Sequence, residues 1–436
     1  MSLALDLLLY ASPLVVIWLA YVRKRRRQQA RAIETLTDNR EAGLMEPASL
    51  HPVIDTNKCI GCGSCINACP EMPKHQVLGL VRRKATLVSP TECIGHGACK
   101  AVCPVDAISL VFGTETRGVD IPNVKPNFET NVPGIFIAGE LGGMGLIRNA
   151  VEQGRQAMES IVKKLGKPSG DIDVAIVGAG PSGIAATLAA KERGFKYVTI
   201  EQDSLGGTVA SFPRRKLVMT APVMLPLVGK VKFTETTKEA LLEFWQKVER
   251  DTEIKINYGE RLHKVSRDGA AFTIETTKGK YSVRALLLAI GRRGTPRKLG
   301  VPGEELPKVT YKLLDPEQYR GMDVLVVGGG DSAIECAVTI AEQPGSTVTL
   351  SYRSAAFGRA KRKNRERLEA GDKAGRIKIL LESTVKTIGA DYVEITQKDK
   401  VLRVKNDAVI VNAGGILATP FLKEIGIEVE TKHGTR

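Results

Sequence analysis

Asp173-Val174-Ala175-Ile176-Val177-Gly178-Ala179-Gly180-Pro181-Ser182-Gly183 is an apolar, partly β-branched run that stops on a glycine-rich turn. It predicts a strand over 173–177. A helical pattern follows at Ile184–Arg193, then a second strand at Tyr197–Ile200, which ends at Glu201. G-x-G-x-x-G between a strand and a helix, with an acid about 20 residues further on, is a dinucleotide-binding fingerprint. Its glycines let the backbone approach a pyrophosphate seated on the helix N-terminus. Gly178, Gly180, Ser182 and Gly183 are therefore expected at the phosphates, and Glu201 at the adenosine ribose. From Asp171 onward strands alternate with helices, the pattern of a doubly wound α/β fold.

A second copy begins at Asp323–Val327 and runs into Gly328-Gly329-Gly330-Asp331-Ser332-Ala333. The strand after its helix, Thr347–Leu350, ends in Ser351-Tyr352-Arg353 with no acid. Gly328, Gly330, Asp331, Ser332 and Ala333 are the expected nucleotide contacts. Arg353 and Arg359, with Lys361 and Arg362 nearby, favour NADP(H) over NAD(H), because an arginine at this point accommodates a 2′-phosphate. A solvated basic helix face is the plainer reading of the same charges.

Seven of the eight cysteines lie between positions 59 and 103. Cys59, Cys62, Cys65 and Cys69-Pro70 have the C-x2-C-x2-C-x3-C-P spacing. Cys93, His96, Cys99 and Cys103-Pro104 repeat it, with histidine in one cysteine slot. Residues 51–112 thus resemble a bacterial two-cluster ferredoxin, with strands expected at Val77–Val81 and Ala107–Phe112. In that pattern each run lends its last cysteine to the other cluster. Cys59, Cys62, Cys65 and Cys103 are expected to hold one [4Fe–4S] cluster. Cys93, Cys99 and Cys69 are expected to hold the second, either as [3Fe–4S] or as a [4Fe–4S] cluster with His96 as fourth ligand. A zinc site closes with four ligands and rarely uses this doubled arrangement.

The two fingerprints, with Ala289-Ile290-Gly291 and the phrase Gly328–Glu335, resemble the thioredoxin-reductase-like pyridine nucleotide oxidoreductases. The resemblance implies FAD at the first fold and a nicotinamide nucleotide at a second fold nested within it. That family closes with a segment like Thr130-Asn131-Val132-Pro133-Gly134-Ile135-Phe136-Ile137-Ala138-Gly139-Glu140, followed by a helix. Here the segment precedes the first fingerprint, and the chain stops at Gly426–Arg436 where it would normally begin. The order suggests a circular permutation joined through Lys167–Gly170. It implies flavin contacts from Gly139, Glu140 (in place of the usual Asp), Arg148, Asn149 and Ala150, and from Gly207 and Thr208. Disulfide-reducing members carry a cysteine pair after the first ribose acid or before the second fingerprint. Leu205–Val209 and Pro296–Gly321 contain none, as in the branch that includes the bacillithiol disulfide reductases. The remaining Cys336 reads as a small core residue.

The chain has 436 residues, is 25% charged and 43% hydrophobic, and carries a net charge of +15. Only 5% of its residues are aromatic and no nucleic-acid module is present, so nucleic acid is not an expected partner. Leu3–Val22 is a largely apolar run, weakened by Asp6 and Pro13, and is followed by Arg23, Lys24, Arg25, Arg26 and Arg27. Its length suits a single membrane span. Positive charge after it places the remainder on the cytoplasmic side.

The expected class is α/β: two nested Rossmann-like domains, for FAD and NADP and permuted, plus a small α+β ferredoxin domain and one N-terminal transmembrane helix. The expected layout is an anchor over 1–22, a linker over 23–50, a ferredoxin over 51–112, the permuted FAD segment over 113–166, the FAD domain over 167–291, the NAD(P) domain over 292–405 and a return to the FAD domain over 406–436. Electrons would pass between NAD(P)H, FAD, the clusters and an external redox protein: a cytochrome, a quinone-reactive subunit or a soluble carrier. No catalytic side chain is expected, since hydride transfer requires no acid or base. Relatives of this kind are often dimers, so a homodimer is among the expected assemblies. The alternatives are a thiol-disulfide reductase with accessory clusters and a non-enzymatic relay subunit of a membrane complex.

Overall fold

The computed structural model describes residues 3–47, 50–72, 75–115, 118–143, 145–169, 171–220, 222–233, 235–269, 271–292, 294–358 and 360–434. The chain forms two compact units. The first comprises 1–119, 356–366 and 432–436; the second comprises 120–355 and 367–431.

The first unit opens with helix α1 (Leu3–Glu41), 39 residues long. The expectation of a separate membrane span over 1–22 is not met. Among the described residues no helix is long and apolar enough to cross a membrane. Asp6 and Pro13 interrupt the apolar run, and the same helix continues through the basic block and the polar residues beyond it. Its second half packs on the cysteine-bearing domain instead. Ala32 is fully buried, Thr35 donates to Gln76, and Asn39 donates to the Val88 carbonyl at 2.9 Å and to Ser89 Oγ at 3.0 Å. The membrane anchor, the single-pass topology and the cytoplasmic membrane location inferred from it are therefore withdrawn.

Two short helices, α2 (Ser64–Asn67) and α3 (Ala98–Ala101), each start after a left-handed glycine, Gly63 and Gly97. They are flanked by β1 (His51–Ile54), which pairs antiparallel with β4 (Ile108–Val111), and by the hairpin β2 (Leu78–Val81) and β3 (Lys84–Leu87). This is the duplicated α+β arrangement that the repeated cysteine spacing implies.

The second unit contains two parallel five-stranded sheets. In the first, the order is Ile256–Tyr258, β8 (Tyr197–Glu201), β7 (Val174–Val177), Ala285–Leu288 and β6 (Ile135–Ile137). In the second, the order is Val309–Thr310, Ala408–Val411, Asp323–Val327, Thr347–Ser351 and Ile377–Leu380. Burial on both faces explains the near-continuous apolar strands; all four residues of β7 and of Ala285–Leu288 are buried. A three-stranded antiparallel sheet is inserted before the last strand of each in chain order, at 262–283 and at 383–405.

The odd chain order has a simple spatial counterpart. β6 comes early in the chain yet lies at the edge of the first sheet, with Ile135 beside Leu286 and Ile137 beside Leu288. The helix after it, α4 (Ile147–Leu165), packs on α5 (Pro181–Glu192), the helix of the first fingerprint. At the other end, Val429–Lys432 pairs with β5 (Val119–Pro122). Asn123 N donates to the Glu428 carbonyl at 2.8 Å, and Asn131 Nδ2 donates to the Gly426 carbonyl at 2.9 Å. The C-terminal segment thus lies beside residues 119–131, the adjacency that a permutation requires. Strand β5 falls within the stretch expected as the permuted FAD segment, 113–166. Gly170 of the joining segment lies outside the described residues.

Candidate cofactor sites

The cysteines fall into two groups around two cavities of the first unit. Cys59, Cys62, Cys65 and Cys103 line one, with Ile60, Gly61 and Ala85. Cys69, Cys93, His96 and Cys99 line the other, with Glu71, Val77 and Leu78. These are the two crossed ligand sets expected from the spacing, including the exchange of Cys69 and Cys103. No three metal-binding side chains among the described residues form a mononuclear site; the thiols stand around cavities instead.

The donor chemistry fits clusters. Burial pushes the Cys65 and Cys93 thiols up to about 11, and iron bound to them would supply the positive charge that favours thiolates. Backbone N–H groups of Ala85 and Ala107 donate to the sulfurs of Cys59 and Cys103 at 3.4 and 3.3 Å, contacts of the kind that tune a cluster. These two amides are not readable from the spacing, because they follow from how the β2–β3 hairpin and the loop before β4 fold over the thiols; Glu71 is brought there by its place two residues after Cys69. His96 is exposed and lies at the second cavity.

In the second unit, α5 begins at Pro181 immediately after Gly180, where a Cβ would meet only open space. Gly183 has no such room: a Cβ there would stand 1.8 Å from the Gly178 carbonyl oxygen, so the helix lies directly on the turn. Glu201 is buried at the end of β8 and accepts from Ala179 N at 2.7 Å and Asp203 N at 2.8 Å. Its carboxylate therefore braces the glycine turn from the end of β8, where the fingerprint expects the ribose-binding acid. Gly207 also reaches this place, since a Cβ on it would stand 3.1 Å from the Gly180 Cα. Thr208 follows in the same short 3-10 helix, Gly207–Ser211.

The permuted segment arrives at the same point. A Cβ on Gly139 would lie 3.0 Å from the Ser182 Cβ and 3.9 Å from that of Ala150. Ser182 Oγ is buried with no hydrogen-bond partner, a vacant donor beside the turn. Gly139 N donates to Gln153 Oε1 at 2.9 Å; that glutamine was not singled out from the sequence, and only the α4 geometry reveals it. Glu140 opens the short 3-10 helix before α4, while Arg148, Asn149 and Ala150 occupy the first turn of α4. The residues assigned to FAD thus converge on the N-terminal end of α5 and suit a dinucleotide.

The second fingerprint repeats this geometry. A Cβ on Gly328 would stand 2.4 Å from the Asn412 carbonyl oxygen, and Gly330 faces open space before the helix Asp331–Ala341, which carries Ser332 and Ala333. The Tyr352 ring lies against Gly329, where a Cβ would be 2.4 Å from ring atoms. Arg353 is exposed next to it. Arg359 lies outside the described residues, and Lys361 and Arg362 belong to the first unit, where Arg362 N donates to Glu92 Oε1 at 2.7 Å. Arg353 is therefore the described residue that carries the 2′-phosphate argument. Cys336 is buried in the core, and burial pushes its thiol up to about 12.

Residues 175–435 match the family described as pyridine nucleotide-disulphide oxidoreductase. The chain belongs to that family. Residues 52–110 of this oxidoreductase match a 4Fe-4S dicluster domain. Among curated relatives, the ferredoxin–NADP reductase of Ignicoccus hospitalis is 31% identical over 217 residues, 50% of this chain and 66% of the relative. The bacilliredoxin reductase of Bacillus subtilis is 29% identical over 266 residues, 59% of this chain and 82% of the relative. Among solved structures, the bacillithiol disulfide reductase of Staphylococcus aureus aligns with TM-score 0.52 and 26% identity, covering 59% of this chain and 80% of that one. The oxidoreductase is accordingly an NAD(P)H-dependent flavoprotein enzyme with an added iron–sulfur domain, which takes FAD, a nicotinamide nucleotide and 4Fe–4S chemistry.

Proposed function

We propose that this enzyme passes electrons between NADPH and a separate one-electron carrier protein, through FAD and then the ferredoxin domain of the same chain. The observation that carries this reading is the pair of thiol-lined cavities on a flavoprotein without a redox cysteine pair. Bound FAD supplies the conversion between two-electron hydride chemistry and one-electron transfer, and bound clusters supply the one-electron steps. The chain's own work is placement. The fingerprint glycines admit the pyrophosphates, Glu201 fixes the first turn, Arg353 selects the phosphorylated nucleotide and the crossed cysteines hold the clusters. At the second site His96 is either the fourth ligand of a [4Fe–4S] cluster or the neighbour of a three-thiolate [3Fe–4S] cluster.

A thiol-disulfide reductase is the second reading, favoured by the similarity to the bacilliredoxin and bacillithiol disulfide reductases. No protein dithiol is on hand outside the ferredoxin domain, because Cys336 is buried and held protonated. A disulfide would then have to meet the flavin directly.

Anaerobic titration with NADPH, followed by flavin absorbance and by EPR, separates the readings. Cys59→Ser or Cys103→Ser should remove the first cluster's signal, leave NADPH-driven dye reduction near the parent rate and abolish delivery to a one-electron protein carrier. Undiminished delivery would overturn the electron-transfer reading and promote the disulfide one.

A further inference from the structure

Arg82 and Arg83 form the tip of the β2–β3 hairpin, and both have positive φ, 51° and 64°. Val81 and Lys84 pair on either side, so the loop is a two-residue turn of the type that favours Asn-Gly. Two consecutive arginines in the left-handed region are a costly choice, and such cost concentrates at functional positions. The turn is also placed against the first cluster site. Gly61 lies between Cys59 and Cys62, and a Cβ on it would stand 2.0 Å from the Arg83 carbonyl oxygen.

The surface around this contact has a definite chemistry. Ile60 is 64% exposed although it lines the thiol cavity, and Cys62 is exposed beside it. Lys58, Arg82 and Arg83 are exposed, and none of the three makes an ion pair among the described residues. Lys84 is half-buried, with Nζ donating to the Cys59 carbonyl at 2.6 Å. The acids of this neighbourhood are Asp106, exposed, and Asp55, which accepts from Asn57 N at 3.0 Å. The balance is an apolar centre with a basic rim over the most exposed thiol site.

We infer that this face is the docking surface for an acidic, soluble one-electron carrier protein, with Ile60 at the centre and Arg82 and Arg83 steering the approach. The inference rests on the electron-transfer reading above and names its partner. Each NADPH gives up a hydride, so two carrier molecules are each reduced by one electron and one proton is released. Rim charges act chiefly on association rate and salt dependence.

The test uses the full-length holoenzyme and the double substitution Arg82→Asn with Arg83→Gly, which removes both charges while giving the turn its preferred residues. The turn therefore folds at least as well as in the parent. An acidic haem carrier and a basic haem carrier serve as probes, and NADPH-driven ferricyanide reduction monitors the flavin. The expected result is a KM for the acidic carrier raised ~10-fold or more, with a flatter dependence on ionic strength. The cluster EPR signals and the KM for the basic carrier should stay unchanged, and Arg82→Lys with Arg83→Lys should restore docking. An unchanged KM for the acidic carrier, an equal change with both carriers, or a loss seen only with anionic lipid vesicles overturns the inference. Failure of the parent electron-transfer reading is a separate result: the Cys59→Ser enzyme would then still reduce both carriers at the parent rate.

Discussion

The Arg284 guanidinium donates to the buried Asp173 carboxylate at 2.8 Å. The same guanidinium donates to the carbonyls of Leu165 and Lys167, each at 2.9 Å. One side chain therefore ties together the end of α4, the joining segment and the start of β7. Asp173 accepts further bonds from Ser169 N, Ser169 Oγ and Lys196 N. The point where α4, the joining segment and β7 meet is thus a polar network around one buried carboxylate at the edge of the apolar core.

Arg284→Met should lower stability by about 3 kcal/mol, since it leaves a buried carboxylate without its cation. The deficit should depend on pH. Burial alone pushes the Asp173 carboxyl up, but hydrogen bonds from Arg284, Ser169 and Lys196 hold it below the ordinary range in the folded protein. A depressed folded-state pKa contributes stability that is present above the unfolded value and is lost as pH falls through the folded value. The parent enzyme should therefore lose more stability on acidification below about pH 4, and the two proteins should converge there. Urea midpoints followed by flavin fluorescence from pH 7 downward would show it; a gap independent of pH would mean that Asp173 is not the ionised partner.

Gly154→Ala tests whether α4 belongs to the FAD fold. A Cβ at Gly154 would stand 2.0 Å from the Ser182 carbonyl oxygen, on the helix of the first fingerprint. Backbone cannot yield as a side-chain tip can, so overpacking should cost about 1–3 kcal/mol and lower FAD retention. Gly279→Ala, which meets nothing within 4 Å, is the matched control. Equal flavin content in both variants would argue that α4 does not press on the cofactor site.

Much of this was legible beforehand. Both fingerprints, their strands and helices, and the crossed cysteine sets follow from local spacing, because glycine and cysteine positions are fixed by the groups they must approach. That Thr130–Glu140 resembles a segment of the first fold was readable because it is a local pattern whatever its place in the chain; that its strand takes the edge of the sheet was not. The N-terminal reading failed because hydropathy was counted only up to Val22. The helix does not stop there, and burial of Ala32 together with the Asn39 bonds to Val88 and Ser89 depends on contacts far away in sequence. That the backbone N–H of Arg362 bonds to Glu92 was likewise hidden, since the two residues lie far apart in sequence.

Arg353→Glu should raise KM for NADPH much more than KM for NADH. Loss of a hydrogen bond to a charged phosphate is worth about 1.5–3 kcal/mol, roughly tenfold to more than a hundredfold. Arg353 is exposed, so the change should leave the fold intact. Steady-state kinetics with both nucleotides and a dye acceptor would decide it, and an equal effect on the two would remove Arg353 from the 2′-phosphate site.

His96→Cys addresses the second cluster. The cavity lined by Cys69, Cys93 and Cys99 contains three thiols, and the position that holds the second cysteine, Cys62, in the companion run is His96 here. A neutral imidazole on iron raises potential relative to a thiolate, and a site with only three protein ligands can keep a three-iron cluster. In either case a fourth thiolate should yield a [4Fe–4S] cluster of lower potential. Redox titration by EPR should show the second midpoint falling while the first stays fixed, and a cluster too low in potential should no longer be reduced by NADPH alone. If signal and midpoint are both unchanged, His96 is a bystander at the rim of the cavity and the second cluster draws its fourth ligand from elsewhere.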